Sequence, residues 1–114
     1  MVDALNIAEY VREDGSNPYR AWFEDLHAQA AAKVTTAIVR LELGNLSRVK
    51  RIGAIGEYRI DWGPGYRIYL SKDGERLIIL LGGGTKRRQH GDIEQARAMW
   101  AEYKARKAVA KSKR

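Results

Sequence analysis

Apolar positions follow two different periods along the chain, and each period predicts its own elements. Trp22, Phe23, Leu26, Ala30, Val34, Ala37, Ile38 and Leu41 recur at three- and four-residue steps, which places them on one face of a helix. Asn17-Pro18 predicts where that helix starts. The Asn17 side chain can cap it, and the fixed φ of Pro18 suits the first helical position, where a missing N–H costs nothing. Gly44 offers a left-handed stop, and a break near His27 would turn the segment into a helical hairpin. Ahead of it, residues 4–11, with Leu5 and Ile7, predict a short first strand that ends at a polar loop over residues 12–16.

From Glu57 the period changes to two. Tyr58, Ile60 and Trp62 alternate with Glu57, Arg59 and Asp61; after Gly63-Pro64-Gly65, Tyr66, Ile68 and Leu70 alternate with Arg67 and Tyr69. This predicts a β-hairpin. A three-residue loop would set Trp62 opposite Tyr66, Ile60 opposite Ile68, Asp61 opposite Arg67 and Arg59 opposite Tyr69. Lys72-Asp73-Gly74 reads as a second turn, and the unbroken run Leu77-Ile78-Ile79-Leu80-Leu81 as a central strand buried on both faces. Beyond Gly82-Gly83-Gly84, Asp92 is placed to cap a last helix, with Gln95 in the capping-box position and Ile93, Ala96, Met99, Trp100 and Tyr103 as its buried stripe. The basic end, at about residues 108–114, is expected to fray. The order predicts one α+β domain over residues 1–114: an N-terminal strand, one or two helices, a three-stranded antiparallel meander and a C-terminal helix.

Charge adds a direction to this picture. Residues 1–47 carry four basic and seven acidic side chains, whereas residues 48–114 carry seventeen basic and seven acidic, so the net +7 of the chain lies in its second half. An anionic partner is the first expectation. The absence of cysteine excludes a disulfide framework, a thiol nucleophile and cysteine-ligated zinc. His27 and His90 lie far apart with no carboxylate cluster at ligand spacing, so no metal or other cofactor is expected. The first ten residues hold Asp3 and Glu9 and no cationic stretch before a long apolar run, which reads as neither a signal peptide nor a membrane span. The expected location is the cytoplasm.

Three groups are candidates for chemistry. Arg59, Arg67 and Tyr69 would project together from neighbouring strands; guanidinium forks match phosphate oxygens, and a tyrosine can stack on a base or hydrogen-bond a phosphate. A solvated sheet face with an Asp61 to Arg67 pair would give the same pattern. Thr85-Lys86-Arg87-Arg88-Gln89-His90 follows the triple glycine, which lacks the spacing and the Lys-Ser/Thr ending of a Walker A loop and so excludes a nucleoside triphosphatase of that kind. His90 is either a proton carrier with a near-neutral pKa or a plain helix-entry residue. Arg48, Lys50 and Arg51 precede the hairpin, either to lead a phosphate backbone toward it or as ordinary solvated charge.

The blocks at residues 56–69 (Gly56-Glu57-Tyr58-Arg59 through Tyr69) and 80–93 (Leu80-Leu81-Gly82-Gly83-Gly84-Thr85-Lys86 through Ile93) resemble the RelE/ParE superfamily of toxins, with the HigB-like "addiction module killer protein" branch the nearest in pattern. Thr85 stands where that branch has an acidic residue, and Arg87 and Arg88 replace small polar ones. The resemblance implies a RelE-like fold. It also implies a toxin of a type II toxin-antitoxin module, a metal-independent endoribonuclease that cuts mRNA on the translating ribosome and is silenced by a helix-turn-helix antitoxin. Arg59, Arg67, Tyr69 and Lys86 would then be catalytic, and Arg48, Lys50, Arg51, Arg87, Arg88, Gln89 and His90 would hold RNA. Two other expectations stand beside it: a ParE-like inhibitor of DNA gyrase, and a non-catalytic basic domain that binds RNA or an antitoxin.

Overall fold

A computed structural model describes residues 4–113, leaving outside it residues 1–3, on which part of the leader reading rests, and Arg114 at the end of the basic tail. The elements follow in the order β1 (Asn6–Glu9), α1 (Pro18–Glu24), α2 (Ala28–Glu42), β2 (Val49–Ile52), β3 (Ile55–Ile60), β4 (Tyr66–Asp73), β5 (Leu77–Thr85), a 3-10 turn (Lys86–Arg88) and α3 (Gln89–Ser112). Asn17 caps α1 by accepting the Arg20 N–H at 2.9 Å. The break between the first two helices falls at His27, whose Nδ1 accepts the Ala30 N–H and so caps α2.

The sheet corrects the expected three-stranded meander and, with it, the RelE-like arrangement. It has five strands in the order β1-β5-β4-β3-β2 and is mixed, since β1 runs parallel to β5 while the other pairs are antiparallel. The architecture is α+β. Strand β5 is apolar on both faces and needs a partner at each edge, and β1 supplies the second one through Asn6 opposite Leu77 to Glu9 opposite Leu80. Strand β2 escapes a pattern-based reading because it is a four-residue edge strand whose central Lys50 and Arg51 are exposed. Charged residues on an edge also hinder pairing with further chains.

Helices cover both faces. On one, Tyr19 from α1 and Val34, Ala37 and Leu41 from α2 pack on Tyr58, Ile68, Leu70, Ile78 and Leu80. On the other, Ala96 and Trp100 from α3 pack with Tyr10 on Ile55, Tyr69, Ile79 and Leu81. The alternate members of the unbroken 77–81 run thus serve two separate cores.

Two further boundaries move. The three glycines belong to β5 rather than to a loop, with Gly82, Gly83 and Gly84 opposite Tyr69, Ile68 and Arg67. The Trp22 ring lies on Gly83 and the Asp92 carboxyl on Gly84, so that a Cβ at either would overlap them; here the helices approach the sheet too closely for any side chain. Helix α3 begins at Gln89, so Asp92 lies within the first turn and is spent on this close contact rather than on a cap. The helix does not stop short of the basic end. It continues to Ser112, as its alanines and lysines favour.

Helix α3 is tied to the sheet side by paired carboxylates. Glu102 accepts from the Tyr10 hydroxyl at 2.6 Å and from Arg12 at 3.1 and 3.2 Å, and Asp73 accepts from Lys107 at 2.7 Å and from Tyr103. Arg12 and Tyr10 lower the Glu102 pKa, Lys107 and Tyr103 lower that of Asp73, and Arg20 lowers that of Glu9. A carboxylate with a lowered folded-state pKa stabilises the fold above its unfolded value, near 4, and that contribution is lost as pH falls through the folded value. Denaturant midpoints are therefore expected to drop from about pH 5 downward. The Asp73→Asn/Glu102→Gln double variant should show a shallower fall; an equally steep one would remove these pairs from the explanation.

Candidate functional site

The ladder of the β3–β4 hairpin ends two residues earlier on β3 than its pattern suggests, with Tyr58 opposite Ile68, Arg59 opposite Arg67, Ile60 opposite Tyr66 and Glu57 opposite Tyr69. A two-residue shift keeps every side chain on its face but exchanges its partners. The loop becomes five residues long because Trp62 leaves the ladder and stacks on Tyr66, with ring centroids 6.1 Å apart and planes 25° apart. Asp61 leaves with it. Arg67 therefore faces a second arginine instead of the expected carboxylate.

Like charges directly across a sheet repel, and the carboxylate that offsets them is Glu57, a residue the periodicity treats as one more polar position. Glu57 is fully buried. Its Oε1 accepts from Arg59 Nε at 2.9 Å and its Oε2 from Gln89 Nε2 at 2.8 Å. No signal in the sequence separates it from Asp61, which also alternates on this face but lies in the turn.

Arg67 is 5 % exposed, and both its Nε and Nη1 are buried with no hydrogen-bond partner among the described residues. An isolated buried charge is costly and normally has a paired anion. Tyr69, opposite Glu57, is 1 % exposed and its hydroxyl also lacks a partner. Burial raises its pKa, and the carboxylates of Glu57 and Asp92 push it further up, against the pull of Arg67. At neutral pH Tyr69 is a phenol, a hydrogen-bond donor rather than a base. Burial likewise raises the pKa of Asp92, which Arg88 lowers.

Lys86 is exposed, but the turn of the hairpin brings it alongside. Its backbone N–H donates to the Gly65 carbonyl at 2.8 Å. Gly65, at φ +78°, stands so close that a Cβ there would lie 3.1 Å from Arg67 Nη1 and 3.5 Å from Lys86 Cβ. The structure thus brings together Arg59, Arg67, Tyr69 and the stem of Lys86, and adds Glu57. Gln89, expected to hold RNA, points inward to Glu57. Arg87, Arg88 and His90 are exposed on the turn and first residues of α3. Lys50 is exposed opposite Glu57 on β2, Arg51 is exposed with its Nε on the Gly53 carbonyl at 3.3 Å, and Arg48 lies apart, against α2.

A cleft of about 450 Å³ between α1, β5 and α3 is lined by Arg12, Arg88, Asp92, Trp22, Gly83 and, alone of the cluster, Tyr69. Among the described residues no group of three His, Asp or Glu side chains is placed to hold a metal ion, and no helix is long and apolar enough to cross a membrane.

Fold and site together define a small basic α+β protein with an arginine-carboxylate cluster beneath its last helix. The chain belongs to the family of an uncharacterized protein of Haemophilus influenzae, to which it is 41 % identical over 83 residues, 71 % of this chain and 84 % of that protein. No model of a known protein family matches it.

Proposed function

We propose that this protein is the toxin of a type II toxin-antitoxin module and cleaves mRNA on the translating ribosome without a metal ion. The observation that carries the reading is Arg67, a buried guanidinium with two unmet donors beside a second arginine. A phosphodiester oxygen is the kind of acceptor that these donors lack. The resemblance of residues 56–69 and 80–93 to RelE/ParE toxins supports the same reading. So does the concentration of positive charge in the second half of the chain.

Cleavage needs a base for the ribose 2′-hydroxyl, stabilisation of the negative charge gathering on the phosphorus oxygens, and a proton for the departing 5′-oxygen. Arg59 and Arg67 supply the second requirement, Arg67 once its buried donors are opened to the phosphate. Glu57 takes the 2′-hydroxyl proton once the first turn of α3 lifts and Gln89 releases its oxygen. Lys86 or the Tyr69 phenol returns a proton to the 5′-oxygen, leaving a 2′,3′-cyclic phosphate and a 5′-hydroxyl. A helix-turn-helix antitoxin would silence the toxin in the cytoplasm by covering the basic surface.

Induced expression in bacterial cells tests the reading. Growth should stop, mapped mRNA ends should multiply within reading frames, and plasmid supercoiling should stay normal. A supercoiling defect with intact transcripts would indicate gyrase as the target instead, and unimpaired growth and translation would leave a non-catalytic binding domain.

A further inference from the structure

A second cationic pocket, of about 220 Å³, lies on the opposite side of β3, where α2 passes over the sheet edge. Lys33 and Arg40 stand on one stripe of α2, two turns apart, and Arg48 comes from the segment ahead of β2; all three line the pocket. None of them has a carboxylate partner among the described residues, where Arg12, Arg20, Arg59, Arg97 and Lys107 do. The only acidic residue on the lining is Asp61. All three are exposed, and together they leave a positive surface that attracts an anion.

A separate observation concerns the pocket wall. Tyr58, on β3, lines it and is 2 % exposed, yet its buried hydroxyl meets no hydrogen-bond partner among the described residues. A buried hydroxyl left without a partner costs free energy comparable to a lost hydrogen bond. Next to it, Trp62 lies under the Lys33 ammonium at 5.6 Å, which holds that cation at the rim. Lys33, Arg40, Arg48 and the Tyr58 hydroxyl form a donor set suited to phosphate oxygens.

We propose that this pocket is a phosphate subsite that holds a backbone phosphate of the RNA whose cleaved bond lies at Arg67. The subsite rests on the nuclease reading. Arg59 connects the two sites, since it lines this pocket while its Nε is bonded to Glu57. A strand crossing the end of the hairpin meets both in succession, so the pocket fixes register without touching the reacting atoms.

The test measures binding of a single-stranded 2′-O-methyl RNA, which lacks the attacking hydroxyl, by fluorescence polarisation over a range of salt concentrations. The Arg40→Gln/Arg48→Gln variant should bind roughly tenfold more weakly, and its log–log salt slope should be smaller by about 0.7 for each phosphate that the variant no longer neutralises. Tyr58→Phe should weaken binding by a smaller factor while the salt slope stays that of the wild type. Inorganic phosphate at millimolar concentration should not displace the RNA; displacement would assign the pocket to a small free phosphate and overturn the RNA claim. Competition by polyglutamate as strong as by polyuridylate would overturn it as well. Wild-type affinity and slope in a folded double variant would end the proposal even if cleavage occurs. Pocket-dependent binding by a protein that cuts no mRNA would uphold the phosphate-binding pocket but overturn its link to a cleaved bond at Arg67, and the nuclease reading with it.

Discussion

Arg67→Met is expected to abolish RNA cleavage and, in the same protein, to raise resistance to unfolding. Both effects have one cause. In the free protein the Arg67 guanidinium is nearly enclosed, faces Arg59 across the ladder and has two nitrogens without partners. Replacing buried charge by an apolar side chain of similar length is often neutral or stabilising, by about 1–4 kcal/mol where ion pairs were replaced. In the proposed reaction the same guanidinium would meet the developing phosphorane charge, and removing one such preorganised donor costs roughly 100- to 1,000-fold in rate. A stability gain with loss of activity separates a functional arginine from a structural one. Cleavage near the wild-type rate, or a variant that unfolds earlier, would show that Arg67 serves the fold.

Gly83→Ala is expected to be the most damaging small substitution in the sheet. An added methyl would enter the Trp22 ring, which cannot retreat because Tyr19 and Tyr66 hold it at centroid distances of 5.9 and 6.5 Å. Overpacking of this kind costs about 1–3 kcal/mol, and in a chain of this size each kcal/mol lowers the melting temperature by roughly 4 °C or more. Gly82→Ala is the internal control, since a Cβ there meets nothing within 4 Å. Thermal unfolding followed through tryptophan fluorescence should separate the two neighbours clearly; equal melting temperatures would contradict the close packing of α1 on β5.

What the sequence makes legible follows from the range of the forces involved. Helix starts are local, and Asn17-Pro18 marks the beginning of α1 from two consecutive residues. The faces of β3 and β4 are also local, because alternation survives a two-residue slip; their partners are not, since Trp62 leaves the ladder for a ring stack that periodicity does not encode. The parallel pairing of β1 with β5 joins residues some 70 positions apart and has no turn to announce it. The glycines illustrate the same limit. In sequence Gly82-Gly83-Gly84 reads as a flexible loop, yet they form a strand whose bareness admits Trp22 and Asp92 from two distant helices.

The site is legible in the same uneven way. Arg59, Arg67 and Tyr69 share a face by alternation alone, and Lys86 joins them through the backbone bond to Gly65. Glu57 and Gln89 stay hidden, because a fully buried carboxylate and its amide partner look like surface residues until α3 is laid over the sheet.

The most direct test of the central claim is the chemistry of RNA ends produced by the purified protein on translating ribosomes in a chelator. If Glu57, Arg59 and Arg67 carry out transesterification, new fragments should end in 2′,3′-cyclic phosphates and begin with 5′-hydroxyls, and Arg67→Met should yield none. Intact mRNA with the wild-type protein, or fragments that begin with 5′-phosphates, would contradict it.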